Sequence, residues 1–305
     1  MKKSKDLVSE FKADLKVRNK SSYTVKSYPQ CVRAFERWFV GGDLLDVDEK
    51  TLVRYIEHLK ERNVSQTSIL RYFSGLSSYW EFLIWSGYTT KNPVKPVQKR
   101  YFSEFKPHDA SQRRQCISIE QAKTLVASIL DSKERCIVVL LLKTGMRRHE
   151  LSELNLKSID MENMTIRVKP TAKRSNEILY FDAETAFVLR KWLKQRENDN
   201  KKQIDALFIN RFGNRLSMMA INKIVEKHAA AIGLHDPASK NLQDRFSCHS
   251  CRHYFTNTLV NTKMPREMIK ELRGDRRREA IDLYTHILPA ELKKSYMEYV
   301  PQLGL

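Results

Sequence analysis

Apolar side chains recur at three- and four-residue steps along most of the chain, and that rhythm predicts a series of helices. Leu7, Phe11 and Leu15 stand four apart and mark the first. Val25, Tyr28, Val32, Phe35, Trp38 and Phe39 mark the second. Ser21, Ser22 and Thr24 offer N-caps for it, and Gly41-Gly42 ends it. Asp48 caps a third stripe through Leu52, Tyr55, Ile56 and Leu59. Ser65 and Thr67 precede a fourth, from Ile69, Tyr72 and Phe73 through Leu76, Tyr79, Trp80, Leu83 and Ile84, stopping near Gly87. Four amphipathic helices are enough for a compact bundle over residues 1–95.

The rhythm then breaks. Asn92-Pro93, Pro96 and Pro107 carry turn signals, and Lys99, Arg100, Lys106, Arg113 and Arg114 crowd the same stretch. Residues 96–116 therefore read as a basic linker suited to tracking phosphates. Helical spacing resumes at Ile117, where Ser118 and Gln121 form a capping-box pair ahead of Ala122, Leu125, Val126 and Ile129. Cys136 to Leu142 is almost wholly apolar. It flows into Thr144-Gly145, which favours a buried helix over a strand. Met164 to Val168 and Ile178 to Phe181 are rich in β-formers and flank a basic tip, predicting a β-hairpin. Further helices are expected around 185–195, 218–232, 249–260, 266–272 and 279–287. The expected fold is mainly α with a small antiparallel β-sheet, in two domains, 1–95 and 117–305. A last apolar stripe of Leu292, Tyr296, Met297 and Val300 suits docking on a neighbouring subunit or folding back in cis, and docking on a neighbour is the preferred reading.

Charge narrows the function. The formal net charge is +19, and the excess is spread over both halves rather than gathered in a detachable tail. Such a balance points to a polyanion, most often nucleic acid, because each neutralised phosphate releases counterions. No apolar run approaches the roughly 20 residues that span a bilayer, and Met-Lys-Lys-Ser-Lys-Asp lacks the apolar core of a signal peptide. Five scattered cysteines suggest reduced thiols and a cytoplasmic location.

The candidate chemistry gathers near the C-terminus. Arg276, Arg277 and Arg278 precede Tyr284, a tyrosine placed either to rest on DNA or to attack it. Attack makes definite demands. A tyrosine with an ordinary pKa near 10 needs electrostatic help. The phosphorane needs fixed cations on its non-bridging oxygens, and arginine's planar fork fits them. The leaving 5′ oxygen needs a proton donor. Arg147 follows a tight Thr-Gly turn, with Glu150 one helical turn on. His249 and Arg252 share a helix face with His253 adjacent, and Lys173 sits at the hairpin tip. Cys248, His249, Cys251 and His253 resemble a zinc set, but a lone C-x-x-C without a second pair is a weak signal, so no metal or other cofactor is expected.

Thr-Gly-Met-Arg147-Arg-His-Glu150-Leu, Lys173 in a hairpin, His249-Ser-Cys-Arg252-His253 and Tyr284-Thr-His286, in this order and spacing, resemble the tyrosine recombinase (integrase) family. The first four helices resemble that family's core-binding domain. The resemblance implies that Arg147 and Arg252 grip the scissile phosphate of double-stranded DNA and that Tyr284 forms a 3′-phosphotyrosyl link. It implies that His249 assists proton transfer from Tyr284 and that Lys173 protonates the 5′ oxygen. Lys173 is chosen over Lys169 for its distance from the second strand. Glu150 falls on the family's acidic support position. Lys99, Arg100, Arg148, Arg174 and His253 are the further candidates for DNA contact. The family works as a tetramer on two recombination sites, which implies a homo-tetramer on DNA.

Asp275 departs from the pattern, since the family usually has His or Trp there to donate to a phosphate oxygen. An ionised Asp only accepts hydrogen bonds, so it is expected to hold an arginine or the helix. Archaeal integrases resemble this sequence in having Leu-Arg-Gly-Asp at this place. Two alternatives remain: a type IB topoisomerase-like enzyme, and a DNA-binding protein without catalysis.

Overall fold

The structure is a computed structural model that describes residues 4–102, 115–170, 174, 176–199, 202–239, 241–275 and 287–305. The chain divides into two compact units, residues 1–107 and 108–305.

The first unit is built from the four expected helices, α1 (Ser4–Val17), α2 (Ser22–Trp38), α3 (Glu49–Glu61) and α4 (Gln66–Trp85). Side-chain caps fix three of the starts. Ser21 Oγ accepts from the Thr24 N–H at 3.1 Å, Asp48 Oδ1 from Thr51 at 2.8 Å, and Ser65 Oγ from Ser68 at 3.3 Å. Each such cap contributes about 1 kcal/mol. The apolar stripes meet in an aromatic core, in which Phe35 meets Tyr55 edge-on at 4.9 Å and Phe11 meets Tyr79 at 5.3 Å.

The expected linker departs from the pattern here. Its first residues belong to a fifth helix, α5 (Val94–Phe102), whose Val94 and Val97 are buried in the same core. Pro96 does not prevent this, because it falls in the first turn, where the backbone N–H has no helical partner. The Asn92 side chain reinforces the start, accepting from the Val94 N–H at 3.0 Å. Lys99 and Arg100 thus project from a helix of the first unit.

The second unit is organised around α7 (Ser132–Thr144), buried from Cys136 through Thr144. A helix apolar on every side needs neighbours on every side. These include α6 (Ile119–Ala127), α9 (Ala183–Asp199), α10 (Met218–Ala231) and α11 (Cys248–Asn261). The capping box at Ser118 and Gln121 is formed. After the short α8 (Arg148–Glu153) comes an antiparallel sheet of β1 (Ile159–Asp160), β2 (Thr165–Arg167) and β3 (Ile178–Tyr180), with Ile166 opposite Leu179. The hairpin is the expected one. The two-residue β1 is too short to leave a pattern in the sequence. α12 (Arg266–Arg273) and α13 (Pro289–Tyr299) complete the described helices, and the helix expected at 279–287 lies largely outside the described residues.

In this single chain the C-terminal segment packs on its own domain, the second of the two expected arrangements. Leu292, Tyr296 and Val300 pack with Phe255, Leu259 and Ile269. A buried ammonium secures the chain end: Lys143 Nζ donates to Asp182, Glu184 and the Pro301 carbonyl, each at 2.6 Å. The Glu184 carboxylate in turn accepts the N–H groups of Leu303, Gly304 and Leu305. Burial pushes the Asp182 carboxyl up, but Lys143 and the Thr185 hydrogen bonds outweigh it and hold the group below its ordinary range.

Candidate active site

The site begins where α7 ends. Gly145 caps that helix with φ of +59°, and a Cβ there would lie 2.4 Å from the Phe255 ring, so both conformation and space call for glycine. The turn delivers Arg147 to the start of α8. Glu150, three residues on, reaches back to the Arg147 N–H at 2.7 Å and to its guanidinium at 3.2 Å. Glu150 is buried, whereas about a third of the Arg147 side chain (31%) is exposed. A buried carboxylate thus holds a partly open guanidinium in place.

Arg252 reaches the same place from α11, with its side chain 7% exposed. It donates to the carbonyls of Gly145 (2.7 Å) and Arg273 (3.0 Å) and to Asp275 Oδ1 (2.9 Å). Burial, and then the neighbouring Arg147 charge, push its guanidinium down to about 10. Asp275 Oδ1 also accepts from Arg147 at 3.3 Å, so one carboxylate oxygen joins the two arginines. The expectation that Asp275 holds an arginine matches this geometry.

Arg174 requires a correction. Proposed above as a DNA contact, it is buried and donates to both oxygens of Glu150, at 3.1 and 3.0 Å, and to the carbonyls of Arg273 and Leu272. A Cβ on Gly274, whose φ is +60°, would lie 2.8 Å from the Arg174 side chain. The guanidinium therefore ties the hairpin to α8 and to the end of α12, and is buried there rather than open to a ligand.

Arg147, Arg252 and His249 line one pocket of about 460 Å³, together with Arg148, His149, Asn222 and Ser247. His249 is exposed, and its ring lies 4.9 Å from that of His253, edge-on. Asn222 and His149 were not anticipated, because the fold alone brings α10 and α8 to this opening. Cys248 and Cys251 are buried, and burial pushes their thiols up, that of Cys248 to about 12. Among the described residues no group of three or more metal-ligating side chains comes together. Lys173 and Tyr284 lie outside the described residues. Lys169 is paired with Glu153 at 2.8 Å. In the first unit, a separate groove of about 560 Å³ is lined by Tyr23, Lys26, Arg33, Arg37, Arg71 and Tyr72, a basic and aromatic surface that sequence patterning did not single out.

Two arginines and a histidine thus share one opening in a helical domain with a small sheet. The phage integrase family matches residues 115–291 and its N-terminal SAM-like domain matches residues 8–87; the chain belongs to that family, the tyrosine recombinases. It is 28% identical to tyrosine recombinase XerC of Pediococcus pentosaceus, covering 97% of this chain and 98% of the relative. It is 25% identical to the XerC of Haemophilus influenzae, covering 93% of each. Among solved structures, the Tn1549 transposon integrase in complex with transposon right end DNA shares the fold, with a TM-score of 0.69 at 16% identity over 96% of this chain and 98% of that one. A lambda integrase dimer bound to a COC′ core site gives 0.69 at 16% identity over 92% and 76%. No helix among the described residues is long and apolar enough to cross a membrane.

Proposed function

We propose that this chain cuts and rejoins double-stranded DNA at specific recombination sites through a 3′-phosphotyrosyl intermediate. The observation that carries the proposal is the convergence of Arg147 and Arg252 on one pocket with His249, each arginine held by a carboxylate. In the first step the Tyr284 oxygen attacks phosphorus and the bond to the 5′ oxygen breaks. His249 takes up the tyrosine proton, and Lys173 delivers a proton to the 5′ oxygen. Arg147 and Arg252 stabilise the charge that builds on the non-bridging oxygens. Attack by a 5′-hydroxyl of the partner duplex reverses each transfer and restores the diester. Bond energy is conserved throughout, so the reaction needs no nucleotide.

Lys99, Arg100, Arg148 and His253 would contact the DNA backbone, and the basic groove of the first unit would contribute to the same grip. The working assembly would be a homo-tetramer on two sites, in the cytoplasm, where the free cysteines stay reduced. The test is strand exchange between two duplexes carrying the site, assayed by gel. Joint molecules that form with the natural protein and disappear in Tyr284→Phe support the proposal. Relaxation of supercoils without partner exchange would contradict it in favour of a topoisomerase.

A further inference from the structure

We propose that Asp275 is an internal stand-in for the scissile phosphate. It joins Arg147 to Arg252 while the site is empty and passes to Arg273 when phosphate arrives. Only the naming of that phosphate rests on the recombinase reading.

Three observations lead there. First, a single oxygen, Asp275 Oδ1, accepts from Arg252 at 2.9 Å and from Arg147 at 3.3 Å, as a non-bridging phosphate oxygen would when gripped by both forks. Both hydrogens of Arg252 Nη2 are thereby occupied, one by the Arg273 carbonyl and one by Asp275. An incoming phosphate that is to use Nη2 must displace the carboxylate.

Second, the displaced carboxylate has a place to go. Its other oxygen, Oδ2, already lies 3.0 Å from Arg273 Nε. That N–H is buried and makes no hydrogen bond, because the present angle is poor. A small rotation of Asp275 away from Arg252 would complete the bond, and a buried N–H left unmade is costly.

Third, the charges require an anion. Arg147, Arg174, Arg252 and Arg273 surround the carboxylates of Glu150 and Asp275. Among these described residues two positive charges remain, the magnitude of the charge on a phosphorane. Without Asp275 the empty cluster would hold arginines of like charge against one another. Asp275 is thus a positioning residue: an anion that is to be held by Arg252 Nη2 enters by replacing the one already there.

The test is titration of inorganic phosphate into the full chain, read by calorimetry, which needs neither a DNA site nor Tyr284. Asp275→Asn should bind phosphate about tenfold more tightly than the natural protein. Arg273→Gln should bind it several-fold more weakly, and that loss should largely vanish in the Asp275→Asn background. If Asp275→Asn does not fold, Arg273→Gln alone decides, and unchanged affinity there overturns the proposal. Equal or weaker binding by a folded Asp275→Asn also overturns it, leaving Asp275 as a structural brace. Because the titration reads anion binding alone, its failure leaves the recombinase reading standing, and a failure of strand exchange leaves the titration interpretable.

Discussion

Glu150 illustrates how a buried acid can hold a partly open arginine in place. It fixes the backbone and guanidinium of Arg147 and receives Arg174 on its other side. Glu150→Gln removes the charge that orients Arg147. Formation of a tyrosyl adduct on a nicked duplex should fall about a hundredfold, the usual consequence of misplacing a catalytic group, while DNA affinity changes little. Unchanged adduct kinetics would show that Arg147 is held by other means. Arg174 gives the opposite lesson about reading charge from a sequence. Beside Lys173 in a basic hairpin tip, it is indistinguishable in one dimension from a DNA contact. Only the arrival of Glu150 and the end of α12 from distant positions turns it inward. Arg174→Leu leaves the buried Glu150 carboxylate with Arg147 alone and the Leu272 and Arg273 carbonyls short of a donor, so it should cost about 2–3 kcal/mol in a denaturation experiment. A variant of full stability that merely binds DNA more weakly would restore the original expectation.

The helices were legible where local physics decides them. Ser21, Asp48, Ser65 and Ser118 announce starts by their side chains, and all four caps are formed. α5 was missed because prolines and lysines look alike in a linker and in a helix's first turn. The packing of α13 within one chain is not legible, because an apolar stripe fits any complementary groove, its own or a neighbour's. Lys143, which anchors the segment after α13, stands in an apolar run that does not name its partners. Lys143→Met should lower stability by about 3–5 kcal/mol at pH 7, since the buried Asp182 and the partly buried Glu184 then lose their cation and keep only neutral hydrogen-bond donors. In the natural protein both carboxyls titrate below their ordinary range, despite burial, through Lys143 and their hydrogen bonds. Their contribution is therefore present above the unfolded value near 4 and is lost as pH falls through the lower folded values. Denaturant midpoints from pH 7 to pH 3 should show that loss in the natural protein and a much smaller one in Lys143→Met. Parallel curves would place the acid sensitivity elsewhere.

Across both units the chain carries 19 more basic than acidic side chains by formal charge. That excess suits a polyanionic partner such as DNA, and it is visible from composition. Which cations gather on one groove is not, as the one lined by Lys26, Arg33, Arg37 and Arg71 shows. If both units engage about six phosphates, log affinity should fall against log salt with a slope of about −5 or steeper. A slope near −1 would mean that one small patch does the binding. The family's motifs were legible in order and spacing, and the fold converts them into a single pocket for Arg147, His249 and Arg252. Tyr284 is the residue on which the proposed function turns. The decisive measurement is mass spectrometry of the protein–DNA adduct trapped on a nicked duplex carrying the recombination site. A 3′-phosphate esterified to the Tyr284 hydroxyl, absent in Tyr284→Phe and strongly reduced in Arg147→Ala, is the predicted result. No adduct, or one linked to a different residue, would contradict it.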